Sequence, residues 1–391
     1  MKTSRSWCRL VLLAMAAGAG CHESTPPRPA PIGEALAELG EAERARFAVG
    51  QQLFNHVFQP EEGLGPLFND NQCSACHTFP ATGGTGDQEL IRVARFEAGK
   101  CDVLAAEGGE NVRIFATPQL KEHGITRQPE PRGTHRSRFI VPYLFGLGLV
   151  DAIPEDQILA RADPDDRNGD GISGRPGIDA NGRFARFGRK ADIATLRDFV
   201  ENAAHLEMGL TTPNRPRENT AGIELPEGAD PVSDPELNEQ QIELLVDFVR
   251  FLTPPPRRMG ESEDDYKTIV EGDSLFRSIG CTACHVPNMK TGRSSIPALD
   301  RKQIYLYSDL LLHDMGADLV NVCSYGASPS ELRTEPLMGL GHRERYLHDG
   351  RTRNLNEAIM LHGGEATAAR ERFRGLNELQ RAAVLRFLRS L

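Results

Sequence analysis

The sequence predicts a mainly α-helical protein made of two similar units, each of which contains the same five-residue pattern. The pattern, Cys-x-x-Cys-His, occurs at 73–77 and again at 281–285. Each copy follows a Gly-x-x-Leu-Phe sequence, starting at Gly50 and at Gly272, in a segment whose apolar residues recur at helical spacing. Because both features repeat in the same order, we predict two units that share one fold.

The segments that close the two units are also alike. Residues 237–252 and 376–391 align without a gap, and both carry an apolar face at helical spacing. In each segment the second residue is an Asn that can cap a helix, and a Gln three residues later can complete a capping box. A pentapeptide, intervening loops and a closing helix are the layout of a cytochrome c domain.

The pentapeptide is the attachment signal of a c-type haem. Its cysteines are spaced to form thioethers with the two vinyl groups of one porphyrin edge, and the adjacent His then lies under the iron. The predicted thioether cysteines are Cys73, Cys76, Cys281 and Cys284, and the predicted proximal iron ligands are His77 and His285. A zinc site or a dithiol redox pair would not explain why a His follows both cysteine pairs.

Composition and charge indicate a soluble globular protein and disfavour two classes of partner. The 391 residues are 39% hydrophobic and 26% charged, which suffices for packed cores, and the formal net charge is −10. A negative balance disfavours binding to nucleic acid and to anionic lipid. It suits a basic protein or a small neutral molecule.

The first residues predict export from the cytoplasm. Residues 1–20 contain three basic residues followed by a short apolar run, as in a signal peptide. The small residues before Cys21 resemble a bacterial lipoprotein cleavage box, and ordinary cleavage nearby is the alternative. Residues 21–40 are then predicted to form a tether. We expect a periplasmic protein that touches a membrane only through a lipid on Cys21, and whose only tryptophan, Trp7, leaves with the signal.

Domain boundaries follow from a Pro-rich sequence at 253–256, which cannot continue a helix. We predict an N-terminal domain at 41–253 and a C-terminal domain at 254–391. The pentapeptides lie 208 residues apart and the closing helices only 139, so the first domain has 69 additional residues. We expect long irregular insertions there, where a small scaffold gains substrate access.

Part of this insertion resembles a calcium-binding loop. Asp166, Asn168 and Asp170 place side-chain oxygens at alternate positions, as in the first half of such a loop. The Glu that would close the loop is absent, since Gly177 stands at that position. Calcium binding and a solvated turn rich in Asp and Asn both stay open.

Two cysteines remain after haem attachment, export and lipidation are assigned, and they are Cys101 and Cys323. An even remainder in an exported protein permits one disulfide, which would link the two halves of the chain. Two free buried thiols are the alternative.

Several further stretches resemble the di-haem cytochrome c peroxidase superfamily, which includes the methylamine-utilisation maturation enzyme. The chain is most similar to the branch named di-haem oxidoreductase or predicted thiol oxidoreductase, over nearly all of residues 41–391. The stretches that carry the resemblance are 138–154, Tyr-Ser-Asp-Leu-Leu-Leu-His-Asp-Met-Gly at 307–316, Arg-Thr-Glu-Pro-Leu-Met-Gly-Leu at 333–340, Tyr-Leu-His-Asp-Gly-Arg at 346–351, and His-Gly-Gly-Glu-Ala at 362–366.

The resemblance implies that the first haem reacts with peroxide and that the second relays electrons to it. It places Glu207, within a Glu-Met-Gly sequence, over the first haem as acid and base. Such a group is needed because cleavage of a peroxide moves a proton from one oxygen to the other. An exposed helical Glu is the alternative. The family often has a Gln shortly upstream, where this chain has Phe199.

The resemblance also implies the distal ligand of the second haem. Aligning the helix that follows the Tyr-x-His-Asp-Gly turn brings His362 to the ligand position. Met360 is the main competitor, and Met315 and Met338 are less favoured, because a Met is more often a core residue. His348 is expected to make hydrogen bonds rather than to bind iron.

The first haem has no obvious distal ligand. No His lies between His77 and His123, so we expect this iron to keep an open or water-bound face. His123, His135 and Met208 remain as candidate ligands. Thr334 and Pro336 resemble a Thr-x-Pro sequence that contributes calcium ligands in the family, and they compete with the Asp-rich loop for that assignment.

These expectations combine into a periplasmic di-haem oxidoreductase that reduces hydrogen peroxide or another small oxidant. Its electron donor is expected to be a small redox protein such as a cytochrome c or a cupredoxin. A non-enzymatic electron carrier and an oxidase of an organic substrate are the alternatives. Thiol chemistry has little support, because haem takes every Cys-x-x-Cys pair of the exported chain.

Overall fold

The computed structural model describes residues 31–391 of the chain. The predicted export signal, Cys21 and Trp7 lie outside these residues. Helices predominate in the described part, and most strands are short, so the prediction of a mainly helical fold is confirmed. No helix between residues 31 and 391 is both long and apolar enough to cross a membrane.

The regular elements are named in chain order. The α-helices are α1 (Glu41–Phe54), α2 (Cys73–Cys76), α3 (Pro118–Glu122), α4 (Leu147–Asp151), α5 (Glu155–Leu159), α6 (Leu196–Glu207), α7 (Glu239–Phe251), α8 (Glu263–Ser278), α9 (Leu355–Met360), α10 (Thr367–Arg374) and α11 (Glu378–Leu388). The strands are β1 (Leu67–Phe68), β2 (Glu89–Glu97), β3 (Lys100–Asp102), β4 (Phe115–Ala116), β5 (His135–Ile140), β6 (Gly177–Ile178), β7 (Phe184–Ala185), β8 (Met289–Lys290), β9 (Gln303–Ile304), β10 (Leu312–Asp314) and β11 (Glu331–Arg333).

The helices that open and close each unit cross in the same way, α1 against α7 and α8 against α11. A Gly at each crossing lets the two backbones touch. A Cβ on Gly50 would lie 2.1 Å from the Leu244 carbonyl oxygen, and a Cβ on Gly272 would lie 2.1 Å from the Ala383 carbonyl oxygen. Leu244 and Ala383 occupy equivalent positions of the two closing segments, so the sequence repeat is also a structural repeat.

An aromatic pair packs at each crossing. The ring centroids of Phe54 and Phe248 are 4.7 Å apart, and those of Phe276 and Phe387 are 5.3 Å apart. All four side chains are buried. The Phe of each Gly-x-x-Leu-Phe sequence therefore meets the equivalent Phe of its closing helix, which explains why both sequences repeat together.

Both predicted capping boxes are present. The Asn238 side chain accepts a hydrogen bond from the Gln241 amide at 3.0 Å, and the Gln241 side chain accepts one from the Asn238 amide at 3.0 Å. Asn377 and Gln380 repeat this arrangement at 2.9 and 3.1 Å. These bonds satisfy backbone donors at the start of α7 and α11 that would otherwise lack partners.

The insertion in the first unit is less irregular than the sequence predicted, because it contains a three-stranded antiparallel sheet of order β3-β2-β5. In its register Glu89 lies opposite Ile140, and Ala94 lies opposite His135. The strand pattern of β2 is weak, since the buried residues Val93 and Ala94 are neighbours and not alternate positions.

The hydrophobic core crosses the predicted domain boundary at 253–254. The larger cluster of buried side chains contains Phe47 and Phe248 of the N-terminal helix pair together with Leu306 and Leu311 from the C-terminal half. A smaller cluster surrounds the crossing of α8 and α11. The repeat of the sequence thus marks two helical units, whereas the packing between them is continuous.

The end of the predicted tether packs on the folded body. The Leu36 amide donates to the Phe251 carbonyl oxygen at 2.8 Å, and the Thr253 amide donates to the Glu34 carbonyl oxygen at 3.0 Å. Leu36 and Leu39 are buried. Residues 31–40 are therefore held against the end of α7, which a free tether would not be.

A disulfide joins Cys101 of β3 to Cys323, with the two Cα atoms 5.8 Å apart. The bonded residues are 222 positions apart in the chain and pack with the buried side chains of Ala94, Phe139 and Val322. The disulfide alternative is confirmed, and it ties the sheet of the insertion to the C-terminal half.

Candidate functional site

The first pentapeptide presents a histidine whose ring is fixed by the backbone. The short helix α2 contains Cys73 and Cys76, and His77 follows it directly. His77 Nδ1 lies 2.8 Å from the Gly84 carbonyl oxygen, so this nitrogen carries the proton and Nε2 keeps its lone pair. Burial lowers the pKa of His77 to about 4, which keeps the ring neutral as an iron ligand must be.

The second pentapeptide repeats this geometry. His285 Nδ1 lies 3.0 Å from the Tyr307 carbonyl oxygen, and burial lowers the pKa of His285 to about 4. The opening helix of each unit packs an aromatic ring against the histidine, with centroids 6.0 Å apart for Phe54 and His77 and 6.3 Å apart for Phe276 and His285. Both histidines therefore present Nε2 in the same kind of surroundings.

The pentapeptide cysteines are unsuited to dithiol chemistry. Burial raises the pKa of Cys73, Cys76 and Cys281 to about 12 each. A thiol with such a pKa is almost entirely protonated near neutral pH, whereas the thiolate is the reactive form and the zinc ligand. The surroundings of these cysteines therefore speak against the dithiol alternative.

A cavity of about 850 Å³ opens beside the first pentapeptide. Its lining includes Cys76, His77, Phe199, Glu207 and Met208. The volume is at the upper end of the range of pockets for cofactor-sized molecules. The cavity thus brings the predicted proximal histidine and the predicted acid–base residue into one space.

One cluster of arginines in the cavity wall also fits a haem. Arg189, Arg333 and Arg343 form ion pairs with the single carboxylate of Glu335 at 2.9, 2.9 and 3.2 Å. These arginines hold the pKa of Glu335 at about 2, although burial opposes this effect. Three cations against one anion leave an excess of two positive charges. The buried Nε atoms of Arg189 and Arg343 have no partner in residues 31–391, and the two propionates of a haem would balance such groups.

Glu207 is the last residue of α6 and its carboxylate faces the cavity. Asn69 donates a hydrogen bond from Nδ2 to Glu207 Oε2 at 2.9 Å. Burial raises the pKa of Glu207, while Asn69, Asn111 and Arg113 act in the opposite direction. A carboxyl group in such a place can hold a proton and release it, as the predicted acid–base role requires.

Most candidates for a second ligand of the first haem lie elsewhere. His123 is exposed at the end of α3, and His135 in β5 bonds the Thr134 hydroxyl at 3.0 Å. Met208 does line the cavity, but its Sδ lies 3.7 Å from Cys73 Sγ, beside a thioether position. Among the residues from 31 to 391 that line the cavity, His77 is the single histidine.

His362 has the geometry of a ligand for the second haem. Its Nδ1 lies 2.8 Å from the Ala358 carbonyl oxygen, which leaves Nε2 free, and burial lowers its pKa. It is close enough to His285 to contribute to the lowered pKa of that residue. Met338, a competing candidate, lines the first cavity instead.

His348 is placed as a packing residue. It is buried, and its ring centroid lies 5.6 Å from that of Phe139. The His348 carbonyl oxygen accepts a hydrogen bond from the Ile140 amide at 3.0 Å. These contacts anchor the turn of the C-terminal half against β5.

Sequence reasoning missed a buried charge network beside the second pentapeptide. His313 Nε2 lies 2.9 Å from Asp309 Oδ2, and its Nδ1 lies 2.7 Å from Glu365 Oε2. Although burial opposes it, hydrogen bonds with Asp309, Cys284 and Glu365 raise the pKa of His313 to about 12. The Ser173 hydroxyl, from the insertion, donates to Glu365 at 2.6 Å. His313 lies in a stretch that carries the family resemblance, which was the only sequence signal for it.

Calcium binding stays a prediction at both candidate sites, and the structure shows how their oxygen atoms are bonded within the chain. In the Asp-rich loop the Asp166 carboxylate accepts from the Gly171 amide at 3.1 Å, and Asn168 Oδ1 accepts from the Asp170 amide at 2.9 Å, as in Asp- and Asn-stabilised turns. At the other candidate, the Thr334 carbonyl oxygen accepts from Ser308, and Thr334 and Pro336 flank Glu335 with its three arginines.

A second missed feature is a group of four acidic side chains after α6. Their carboxylate oxygens lie within 4.8 Å of one another, and the residues are Glu218, Asp230, Asp234 and Glu236. Burial, followed by the charges of Glu236, Asp230 and Asp234, raises the pKa of Glu218 to about 9. Irregular loops bring these residues together, so the cluster could not be predicted from a periodic pattern in the sequence.

Comparisons with known proteins agree with the predicted family. Residues 135–391 match the family described as "Di-haem oxidoreductase, putative peroxidase". Among solved structures, the chain is similar to Kuenenia stuttgartiensis hydrazine synthase pressurised with 20 bar xenon, with 14% identity and a TM-score of 0.43 over 98% of this chain and 100% of that chain. It is also similar to a MauG-like protein associated with microbial copper homeostasis, with 16% identity and a TM-score of 0.41 over 94% of each chain. No curated protein sequence matches. The family match covers more than half of the sequence, and the chain therefore belongs to the di-haem oxidoreductase family.

Proposed function

We propose that this protein reduces hydrogen peroxide in the cavity beside the first pentapeptide, with electrons relayed from the second. One observation carries the proposal. The cavity contains both His77 and Glu207, and its lining within residues 31–391 offers no second histidine that would close the iron. A peroxidase needs an open coordination position on the iron beside an acid–base group. A simple electron carrier needs neither.

The side chains of the first site have distinct roles in this reaction. Cys73, Cys76 and His77 would hold a c-type haem, which supplies an iron that binds the oxidant and delivers electrons. The Glu207 carboxylate takes a proton from one peroxide oxygen and returns it to the other, which leaves as water. With two electrons and two protons, one hydrogen peroxide gives two waters. The raised pKa of Glu207 favours the uptake of the proton in the first of these transfers.

The second site is suited to electron relay. His285 and His362 each direct Nδ1 to a backbone carbonyl oxygen, so each has Nε2 free to hold a haem iron from one side. Two histidine ligands would leave no position for a substrate. This arrangement is typical of haems that transfer electrons.

Location and partners follow from the sequence alone. We infer a periplasmic protein anchored by a lipid on Cys21, with a small redox protein such as a cytochrome c or a cupredoxin as electron donor. The export pattern of residues 1–20 and the net charge of −10 support this inference, since the charge favours a basic partner.

The proposal is tested by Glu207→Gln in the haem-loaded protein. We expect the variant to keep its absorption spectrum and to lose peroxide turnover by about 10²- to 10⁴-fold, the usual contribution of a general acid–base group. Glu110→Gln is the matched control, because Glu110 lines the same cavity but bonds the Tyr325 hydroxyl at 2.9 Å. If the wild-type protein gives two low-spin ferric EPR signals that do not change when peroxide is added, the protein is an electron carrier instead.

A further inference from the structure

The carboxamide of Asn111 is buried in the cavity wall, and neither of its ends has a well-formed hydrogen bond to a residue between 31 and 391. Asn111 is 3% exposed, and within residues 31–391 neither its Nδ2 nor its Oδ1 makes a hydrogen bond. It lines the cavity that contains His77 and Glu207. Buried amides are nearly always paired, because an unpaired amide loses its hydrogen bonds to water and gains none. The vacant carboxamide therefore indicates that something binds beside it.

The backbone on both sides of Asn111 is fixed. The Gly109 carbonyl oxygen accepts from the Val93 amide at 2.8 Å, and the Val112 amide donates to the Ile91 carbonyl oxygen at 2.8 Å, which ties this segment to β2. A Cβ on Gly109 would lie 2.5 Å from the Val93 carbonyl oxygen, so the segment approaches β2 as closely as only Gly allows. The position of Asn111 is thus set by the sheet.

A second asparagine near Glu207, Asn69, has a structural role, and its hydrogen bonds differ from those of Asn111. Asn69 uses both ends of its carboxamide, since Nδ2 donates to Glu207 at 2.9 Å and Oδ1 accepts from the Ile114 amide at 3.0 Å. Asn111 lies within reach of the Glu207 carboxyl group and lowers its pKa as a hydrogen-bond donor would, but the distance and angles between the two groups are not those of a well-formed hydrogen bond. Asn69 already holds Glu207, so Asn111 is not needed for that purpose.

We propose that Asn111 and Glu207 together form the binding site for a small oxygen-containing ligand, hydrogen peroxide in the proposed reaction. The inference rests on the proposed function and adds a second residue to it. The Asn111 Nδ2 donates to a ligand oxygen that gains negative charge, and Oδ1 accepts from a ligand O–H group, while Glu207 exchanges the proton. A carboxamide suits this ligand, because peroxide is both a donor and an acceptor.

Fluoride binding to the oxidised, haem-loaded protein tests the role of Asn111 without turnover. Fluoride accepts hydrogen bonds strongly, so we expect Asn111→Ala to weaken its binding by about tenfold, the effect of one hydrogen bond. Carbon monoxide binds the reduced protein without such a bond, and its affinity should stay within about twofold of wild type. Asn202→Ala, which removes another asparagine of the cavity lining, should bind both ligands as wild type does.

Two further variants separate hydrogen bonding from general damage to the site. Asn111→Gln keeps the donor and should recover part of the fluoride affinity, whereas Asn111→Leu keeps a similar size without a donor and should not. Fluoride affinity equal to wild type in Asn111→Ala or Asn111→Leu would overturn the assignment of Asn111. A wild-type protein that binds neither fluoride nor carbon monoxide would overturn the proposed function, and the assignment with it.

Discussion

The Asn69 carboxamide joins the Glu207 carboxylate to the Ile114 backbone, donating to Glu207 Oε2 at 2.9 Å and accepting from the Ile114 amide at 3.0 Å. It thereby fixes the direction of the proposed acid–base group. The bond also stabilises the carboxylate, which opposes the pKa-raising effect of burial.

Asn69→Ala should therefore move the pH dependence of peroxide turnover. Without the donor, the pKa of Glu207 rises further, because burial is then less opposed. In a plot of kcat/KM against pH, the rise in rate that accompanies deprotonation of Glu207 should therefore occur at higher pH. Asn202→Ala serves as the control, and an unshifted rise in Asn69→Ala would contradict the role of this bond.

His362→Ala should change the spin state of one haem. If His362 holds the second iron, its loss opens one position, and the ferric absorption and EPR spectra should gain a high-spin component. His348→Ala is the matched control, since His348 is buried against Phe139. Equal spectra for wild type and His362→Ala would exclude His362 as a ligand.

Gly50→Ala and Gly272→Ala should each destabilise the protein by about 1–3 kcal/mol, the usual cost of overpacking. The added methyl group would lie 2.1 Å from a carbonyl oxygen of the facing helix in both cases, so the helices must separate. Denaturant unfolding measures the effect. Gly375→Ala is the control, because its Cβ would come no closer than 3.5 Å to its neighbours.

Removal of the Cys101–Cys323 disulfide should lower the free energy of unfolding by about 2–5 kcal/mol. The bond closes a long loop, since its cysteines are 222 residues apart. The double variant Cys101→Ser/Cys323→Ser and the wild type under reductant should unfold at the same denaturant concentration. The reductant should not release haem, because thioether bonds are not reduced as a disulfide is. Unchanged stability in both samples would refute the prediction.

Glu218→Gln should stabilise the protein at alkaline pH. The pKa of Glu218 is raised to about 9 in the folded protein from 4.5, so its protonated form is favoured by folding. The contribution of protonated Glu218 to the free energy of unfolding is therefore fully present at low pH, and it is lost as pH rises from 4.5 towards 9. The gain in Tm should thus be larger at pH 8 than at pH 4, measured with EDTA present. An equal gain at both pH values would contradict the raised pKa.

Local patterns in the sequence determined the elements that depend on neighbouring residues. Both pentapeptides, the Gly-x-x-Leu-Phe sequences and the Asn–Gln capping boxes could be recognised because each is defined within a few positions, and both capping boxes are present in the structure. The sheet of β2, β3 and β5 was not predicted, because β2 lacks a clear alternation of buried and exposed residues.

Tertiary structure decided the contacts between distant parts of the chain. Sequence alone left the pairing of Cys101 with Cys323 open, and it could not show that Asn69 and Asn111 converge on Glu207. The physical reason is the same in each case. A side chain's hydrogen bonds, burial and pKa depend on what folding brings next to it, and loops without a periodic pattern bring together residues that no local rule connects.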